Sequence, residues 1–492
     1  MNRAILRLSL FCLALFVLLL ANINWVQAFK APSLADKPGN IRVFDQQFQY
    51  KRGSIVAAGD GGNTQIAESR LAKGGNGTYQ RYYPAGPVYA PVTGYDSVYS
   101  KTGIEQAENK ELSGTDPRLE VHNLISLITG KPKLGATVSL TISPRAQQAA
   151  YQALATDGGH QGAVVAIDPS TGAILALVSY PTFNPNAYAT LSGTKLNQVS
   201  KREESDPTQP LLNRALDATF PPGSSFKIVT SSAAFSTRKV AGPNTPIPAP
   251  NTLPIGNGHV LVNDNNEICG NGNPPIIQAF WLSCNTAFGK LGIKLSGAVL
   301  RQYADAFGVN NPNLKIPLPV AASVVPTETD PAFTAFTAIG QFDDQVTPLQ
   351  EAMFSAAIAN GGTLMTPHLV QSVQAPDLSM ILSATSTPLS HPVTPAVASD
   401  VTQMMEQVTE NQAGTAFATA NPSIAGVQIA GKTGTAQNGV NNTQLDDAVF
   451  TCFAPAANPK IAVGVIVKGG GFGAAAAAPI AVKVIQAYLK VK

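Results

Sequence analysis

The sequence predicts an α+β protein: one antiparallel sheet closed by segments distant in the chain, with helices between them. A smaller extended domain and one membrane helix precede it. Three observations carry this. An uncharged run opens the chain behind two arginines. A polar, Gly- and Tyr-rich stretch follows. Beyond Leu134, strand-like segments stand at both ends of a region whose middle is helical and Ala-rich. At 492 residues the chain also exceeds one compact core.

Leu8 to Phe29 contains no charge, and its part from Leu8 to Ala21 is nearly pure Leu, Phe, Val and Ala. A helix of about 20 such residues spans a bilayer. Arg3 and Arg7 place residues 1–7 in the cytoplasm, 8–28 in the membrane and the rest outside. The alternative is a cleaved signal peptide, because Val26-Gln27-Ala28 fits a small-x-small site. Both readings put the bulk of the chain outside the cytoplasm.

Residues 29–133 read as a linker and a small non-catalytic module, and 134–492 as one α+β domain. Within the latter, Gly135 to Ile142 reads as a strand and Pro144 to Ala155 as an amphipathic helix. Gly162 to Ile167 and Ala173 to Val178 form a hairpin around the turn Asp168-Pro-Ser-Thr-Gly172. Leu349 to Ala359 is helical. Ala448 to Phe453 and Lys460 to Val467 are strands around Asn458-Pro459, and a helix follows from Pro479 to Leu489.

Charge and composition exclude several function classes. A net charge of +3 gives no reason to expect nucleic acid. Four cysteines without C-x-x-C spacing and five scattered histidines argue against a metal site. Gly469-Gly-Gly-Phe-Gly473 has no later strand or acidic partner, so it reads as a joint and not a dinucleotide loop. Outside the cytoplasm disulfides persist. Cys269 and Cys284, in turn-rich sequence, are expected to pair, the alternative being two free thiols. Closing a loop of that size would add about 3 kcal/mol. Cys452, in a strand-like apolar run, is expected to be a buried free thiol.

Three short patterns could carry chemistry. Ser224-Ser-Phe-Lys227 follows Phe220-Pro-Pro-Gly223 and opens a run that is apolar at helical spacing. A serine and a lysine three residues on share a helix face, so the amine can reach the hydroxyl. The helix dipole should depress the lysine pKa, as a general base requires. S-x-x-K also occurs at Ser192–Lys195 and Ser236–Lys239, without the turn-then-helix context. Ser283-Cys284-Asn285 offers a hydroxyl and an amide for proton relay and for holding a carbonyl. Lys432-Thr433-Gly434-Thr435 follows Val427 to Ala430, which reads as an edge strand that could pair with an extended substrate. The same tripeptide at Lys101-Thr102-Gly103 lacks such a strand. Ser224 does not lie in G-x-S-x-G, which removes an α/β-hydrolase.

Turn-helix S-x-x-K, S-x-N and strand-borne K-T-G-T, in that order, form the signature set of penicillin-recognising serine enzymes. On these residues the sequence resembles the class B penicillin-binding proteins, most closely the actinobacterial penicillin-binding protein A type. Tyr180-Pro-Thr-Phe-Asn-Pro-Asn186, Asn213-Arg-Ala215, Gly340-Gln341 and Thr347-Pro-Leu-Gln350 also fit. So do Arg52-Gly53, Gly103-Ile-Glu105 and Leu112-Ser-Gly114, which look like that family's pedestal, explaining the second K-T-G. Cys284 stands where the family often has Ser or Ala.

The resemblance implies the penicillin-binding transpeptidase (serine β-lactamase-like) fold, an antiparallel sheet flanked by helices plus a helical subdomain. It implies a peptidoglycan D,D-transpeptidase that needs no metal or cofactor. Ser224 would attack the D-Ala-D-Ala carbonyl of a donor stem peptide, with the N–H groups of Ser224 and Thr435 as oxyanion hole. Lys227, held neutral by desolvation and by the nearby Lys432, would be the base. Ser283 would relay the proton to departing D-alanine, Asn285 would hold the donor amide, and Lys432 and Thr433 the terminal carboxylate. The amine of a neighbouring stem peptide then resolves the acyl-enzyme, and β-lactams mimic the donor. About 100 residues before Leu134 are too few for a glycosyltransferase, so a polytopic glycan polymerase is the implied partner. A serine β-lactamase, a D,D-carboxypeptidase, and a non-catalytic β-lactam sensor or division scaffold are the competing readings. No E-x-x-x-N element between Ser283 and Lys432 supports the first.

Overall fold

The computed structural model describes residues 3–30, 34, 48–72, 77–119, 132–156, 160–256, 258–264, 267–438 and 444–491. Helix α1 (Arg3–Trp25) runs into one π-helical turn, Val26–Lys30. Its most apolar window, within Ile5–Lys30, has mean hydropathy 2.3 and none of it is buried in protein. It is therefore long and apolar enough to cross a membrane. Of the stretch read as a linker, residues 31–33 and 35–47 lie outside the described residues.

Strands β1 (Ile55–Ala57), β2 (Thr64–Leu71), β3 (Tyr79–Tyr82) and β4 (Thr137–Leu140) come next. Helix α2 (Pro144–Ala155) starts where expected: Ser143 Oγ accepts the Ala146 N–H, and Pro144 takes the first helical position. Strands β5 (Gly162–Ile167) and β6 (Ile174–Tyr180) form the hairpin. Every β5 side chain is buried, which is why it reads as an unbroken apolar run. The helical middle contributes α3 (Lys227–Ser236), α4 (Asn285–Leu295) and α5 (Pro348–Ala359). Then follow β7 (Val370–Gln374), β8 (Met380–Ser383) and α6 (Pro395–Glu410). The chain closes with β9 (Ala430–Asn438), β10 (Gln444–Ala454), β11 (Ile461–Val467) and α7 (Gly473–Leu489).

The larger domain is built on an antiparallel five-stranded sheet of order β9-β10-β11-β5-β6. Its middle joint, β11 to β5, pairs Ala462 with Ile167, closing the sheet across the helical middle. Helices α2 and α7 pack on each other and on this sheet, while α5 lies against β11, β5 and β10. The edge strand is β9, which carries Lys432 to Thr435. Helix α7 begins at Gly473, six residues before the expected start; the alanines 474–478 extend it, with Pro479 inside its first turns.

A second sheet, of order β8-β7-β4-β1-β2-β3, crosses the boundary expected at 133/134. β1 pairs with β4 in parallel and β4 with β7, so strands from both sides of Leu134 build one sheet. Strands of three to five residues are too short to announce such distant partners.

Arg81 of β3 joins that sheet to a buried ionic knot. Arg52 Nε donates to Glu105 Oε2 at 2.7 Å, and Arg81 Nε to the other oxygen, Oε1. Tyr83 Oη donates to Oε1 at 3.2 Å, and Arg52 Nη1 to Asn109 Oδ1. Asp96 lies 3.7 Å from Arg52 and 3.3 Å from Lys101.

Candidate active site

The nucleophile candidate sits on a 3₁₀ turn, Gly223–Phe226, that leads into α3. Gly223 has φ +57° and donates its N–H to the Gly340 carbonyl at 2.8 Å. A Cβ there would stand 2.8 Å from the Thr435 carbonyl oxygen, so only glycine brings the turn this close to β9. Ser224 is half-buried at the cleft and lies inside the turn, whose N-cap is Pro222, so it is not an ordinary capping serine.

Lys227, the first residue of α3, is fully buried. Its Nζ donates to the Ser283 carbonyl at 2.7 Å and to Asn285 Oδ1 at 2.8 Å, and lies 3.3 Å from Ser283 Oγ. Among the described residues no hydrogen bond joins it to Ser224 Oγ. A neutral amine has two hydrogens and one lone pair. The two carbonyl oxygens take the hydrogens, and the lone pair is left to accept a hydroxyl hydrogen, that of Ser283 at 3.3 Å in this structure. Burial brings Lys227 down to about 7, against the opposing pull of Asp264. Burial is the cause that the family resemblance implies, while the nearby Lys432, also expected to contribute, does not figure in the Lys227 shift.

Ser283 has φ +60°, a left-handed backbone that costs a non-glycine residue about 1–3 kcal/mol. Next to it Cys284 is disulfide-bonded to Cys269, with 5.8 Å between Cα atoms. Helix α4 starts at Asn285, whose Nδ2 donates to Asp264 Oδ1 at 2.9 Å. The turn and the helix start thus aim the Ser283 hydroxyl and the Asn285 amide at one lysine.

From β9, Lys432 Nζ donates to Ser283 Oγ and to the Thr433 carbonyl, each at 2.9 Å. Its pKa lies well below the ordinary lysine range, through burial and then the nearby Lys227, with Asp264 opposing. Lys227, Ser283 and Lys432 are therefore one hydrogen-bonded chain. Thr433 Oγ1 lies 2.7 Å from Thr415 Oγ1, and Gln341 Nε2 donates to the Thr435 carbonyl at 3.2 Å. A cleft of about 380 Å³ is lined by Ser224, Asn285 and Thr435, with Asp264, Gln341 and Phe472 among its walls.

The other occurrences of the patterns have plain structural uses. Ser192 Oγ caps a helix by accepting the Lys195 N–H, and Lys239 lies beyond the end of α3. Lys101 pairs with Asp96, and Thr102 Oγ1 accepts the Tyr95 N–H. Gly473 brings the glycine-rich joint against β9 and β10: a Cβ there would stand 2.1 Å from the Val449 carbonyl oxygen and 2.5 Å from that of Gly434. The joint thereby sets Phe472 on the cleft wall. Cys452 is free and buried. Sequence reasoning missed Asp264, Gln341 and Thr415 as parts of the site. Gln341 stood in a quoted family match; the other two sit in loops without a spacing signal.

The class follows from fold and site together. The profile described as "Penicillin binding protein transpeptidase domain" matches residues 162–486, and "Penicillin binding protein A dimerisation domain" matches 52–138. The chain belongs to the penicillin-binding protein transpeptidase family. It is 40% identical to the peptidoglycan D,D-transpeptidase PbpA of Mycolicibacterium smegmatis, over 100% of this chain and 99% of that protein. It is similar also to penicillin-binding protein A of Mycobacterium tuberculosis in its ceftriaxone acyl-enzyme complex, with TM-score 0.85 and 40% identity over 90% of this chain and 99% of that one. The penicillin G acyl-enzyme of the same protein gives 0.83, at 40% identity over 89% and 100%.

Proposed function

We propose that this chain is a serine D,D-transpeptidase that cross-links peptidoglycan stem peptides and is acylated by β-lactams. The observation that carries the reading is the hydrogen-bonded chain Lys227–Ser283–Lys432 beside Ser224, with both lysines buried and poor in protons.

In this reaction Ser224 Oγ attacks the carbonyl between the two D-alanines. Lys227, whose lone pair is not engaged by the two carbonyls it serves, takes the hydroxyl proton. The oxyanion forms between the N–H groups of Ser224 and Thr435. Collapse breaks the C–N bond, and the proton reaches the leaving D-alanine through Ser283, with Lys432 on the far side of that hydroxyl. Asn285, fixed by Asp264, holds the donor amide. Lys432, Thr433, Gly434 and Thr435 line the edge strand on which the donor lies, with its carboxylate at Lys432 and Thr433. The acceptor amine of a second stem peptide then attacks the ester.

The N-terminal helix anchors the chain with residues 1–7 in the cytoplasm and the catalytic domain outside, where its substrate is. Residues 29–133 serve as the non-catalytic pedestal, and a polytopic membrane polymerase supplies the glycan strands. Intact mass after benzylpenicillin tests the core of the reading: one penicilloyl adduct for wild type and none for Ser224→Ala. An unmodified wild-type mass contradicts it.

A further inference from the structure

Directly behind the nucleophile stands a carboxyl group that the reaction above does not use. Glu351, on α5, is fully buried, and its Oε2 has no hydrogen-bond partner among the described residues. Its Oε1 lies 2.8 Å from Ser225 Oγ, and Ser225 Oγ lies 2.8 Å from the Pro222 carbonyl oxygen. A hydroxyl has one hydrogen and cannot serve both acceptors. With the carboxyl protonated, every contact is satisfied: Glu351 donates to Ser225 Oγ, and Ser225 donates to Pro222. With the carboxylate ionised, Ser225 must abandon one acceptor, and a bare charge stands in a dry core.

That chain of donors ends on the turn that presents Ser224. Pro222 and Ser225 flank Gly223 and Ser224, and the Pro222 carbonyl lies 2.8 Å from where a Cβ on Gly434 would be. The anchor end is rigid too: Thr451 Oγ1 donates to the Glu351 carbonyl, and Ser355 Oγ lies 2.6 Å from Thr451 Oγ1. We infer that Glu351 is a positioning residue that acts as a neutral acid, holding the Ser224 turn against β9 by donating through Ser225 to Pro222.

Burial pushes Glu351 up to about 8, and the Ser225 contact opposes this only in part. Of the elements packed on α5, β5 and β11 carry no titratable group. β10 carries Asp446, Asp447 and Cys452, and α6 carries Asp400, Glu406 and Glu410. None of these contributes to the Glu351 shift, nor does Lys227 beyond the turn. The group should therefore titrate alone.

The inference rests on the acylation of Ser224 proposed above, and the test separates the two. The second-order rate of labelling by a fluorescent penicillin is followed from about pH 6 to about pH 10, by initial rates. Wild type is expected to fall beyond the Glu351 pKa, by at least about threefold across the range, as the donation to Ser225 is lost. Glu351→Gln, whose amide donates to Ser225 at every pH, should label within about twofold of wild type at neutral pH and lose the alkaline fall, while the acid limb from Lys227 stays. An alkaline fall that persists in Glu351→Gln, or none in wild type, overturns the inference and leaves acylation intact. A wild type that does not label at all overturns both. Should the amide variant not fold, Glu351→Asp, too short to reach Ser225, is expected to slow neutral-pH labelling at least threefold or so; an unchanged rate overturns the inference.

Discussion

Two clusters of buried basic side chains lie in this molecule, and they are built on opposite rules. In the N-terminal sheet, Arg52 and Arg81 share the two oxygens of Glu105, so each buried cation meets a buried anion. In the cleft, Lys227 and Lys432 share the Ser283 hydroxyl, and their closest partners are carbonyl and hydroxyl oxygens. Pairing with Asp96 and Glu105 raises the Arg52 pKa despite burial, whereas both lysines fall. A paired buried charge holds structure together. An unpaired one gives up its proton and becomes available as a base.

Replacing members of each cluster should break this contrast in opposite directions. Lys227→Met is expected to cost about 10²–10⁴ in the rate of acylation, the range of a general base. Its thermal midpoint should move little, because no buried charge is orphaned; a midpoint collapse would instead place Lys227 in the structural class. Glu105→Gln should do the reverse. It leaves Arg81 without a carboxylate and Arg52 with Asp96 alone, at a cost of about 3–5 kcal/mol seen in thermal unfolding, while the fraction still folded labels at the wild-type rate.

A smaller effect is expected at the disulfide beside the strained Ser283. Cys269→Ala with Cys284→Ala should lower stability by about 3 kcal/mol through loss of the loop constraint. Acylation should slow as Ser283 relaxes from its positive φ. Smallest of all, Thr415→Val removes the hydroxyl that meets Thr433 Oγ1, and should weaken donor capture about three- to tenfold with the acylation rate at saturation unchanged. Saturation kinetics with a D-Ala-D-Ala thioester analogue would read the difference.

Residues whose chemistry needs a fixed local spacing were legible in the sequence. Ser224 and Lys227 lie one turn apart on one segment, Ser283 and Asn285 on one loop, and Lys432 to Thr435 on one strand. The five-stranded sheet was legible as well, because its buried strands are unbroken apolar runs. What the sequence hid was set by distant neighbours. Glu351 looks like any helix glutamate until Ser225 is placed against it. Asp264 and Thr415 matter through Asn285, the two buried lysines and Thr433, all distant in sequence. The pairing of β1 with β4, and of β4 with β7, depends on contacts between strands of three to five residues, too short to carry much pattern.

Labelling of Ser224 by a fluorescent penicillin between about pH 5 and about pH 7 reaches the central claim most directly. A lysine that must be neutral to accept the serine proton makes the second-order rate climb roughly tenfold per unit and level off near the Lys227 pKa of about 7. A rate that stays flat across that interval in wild type would contradict an amine base with a depressed pKa.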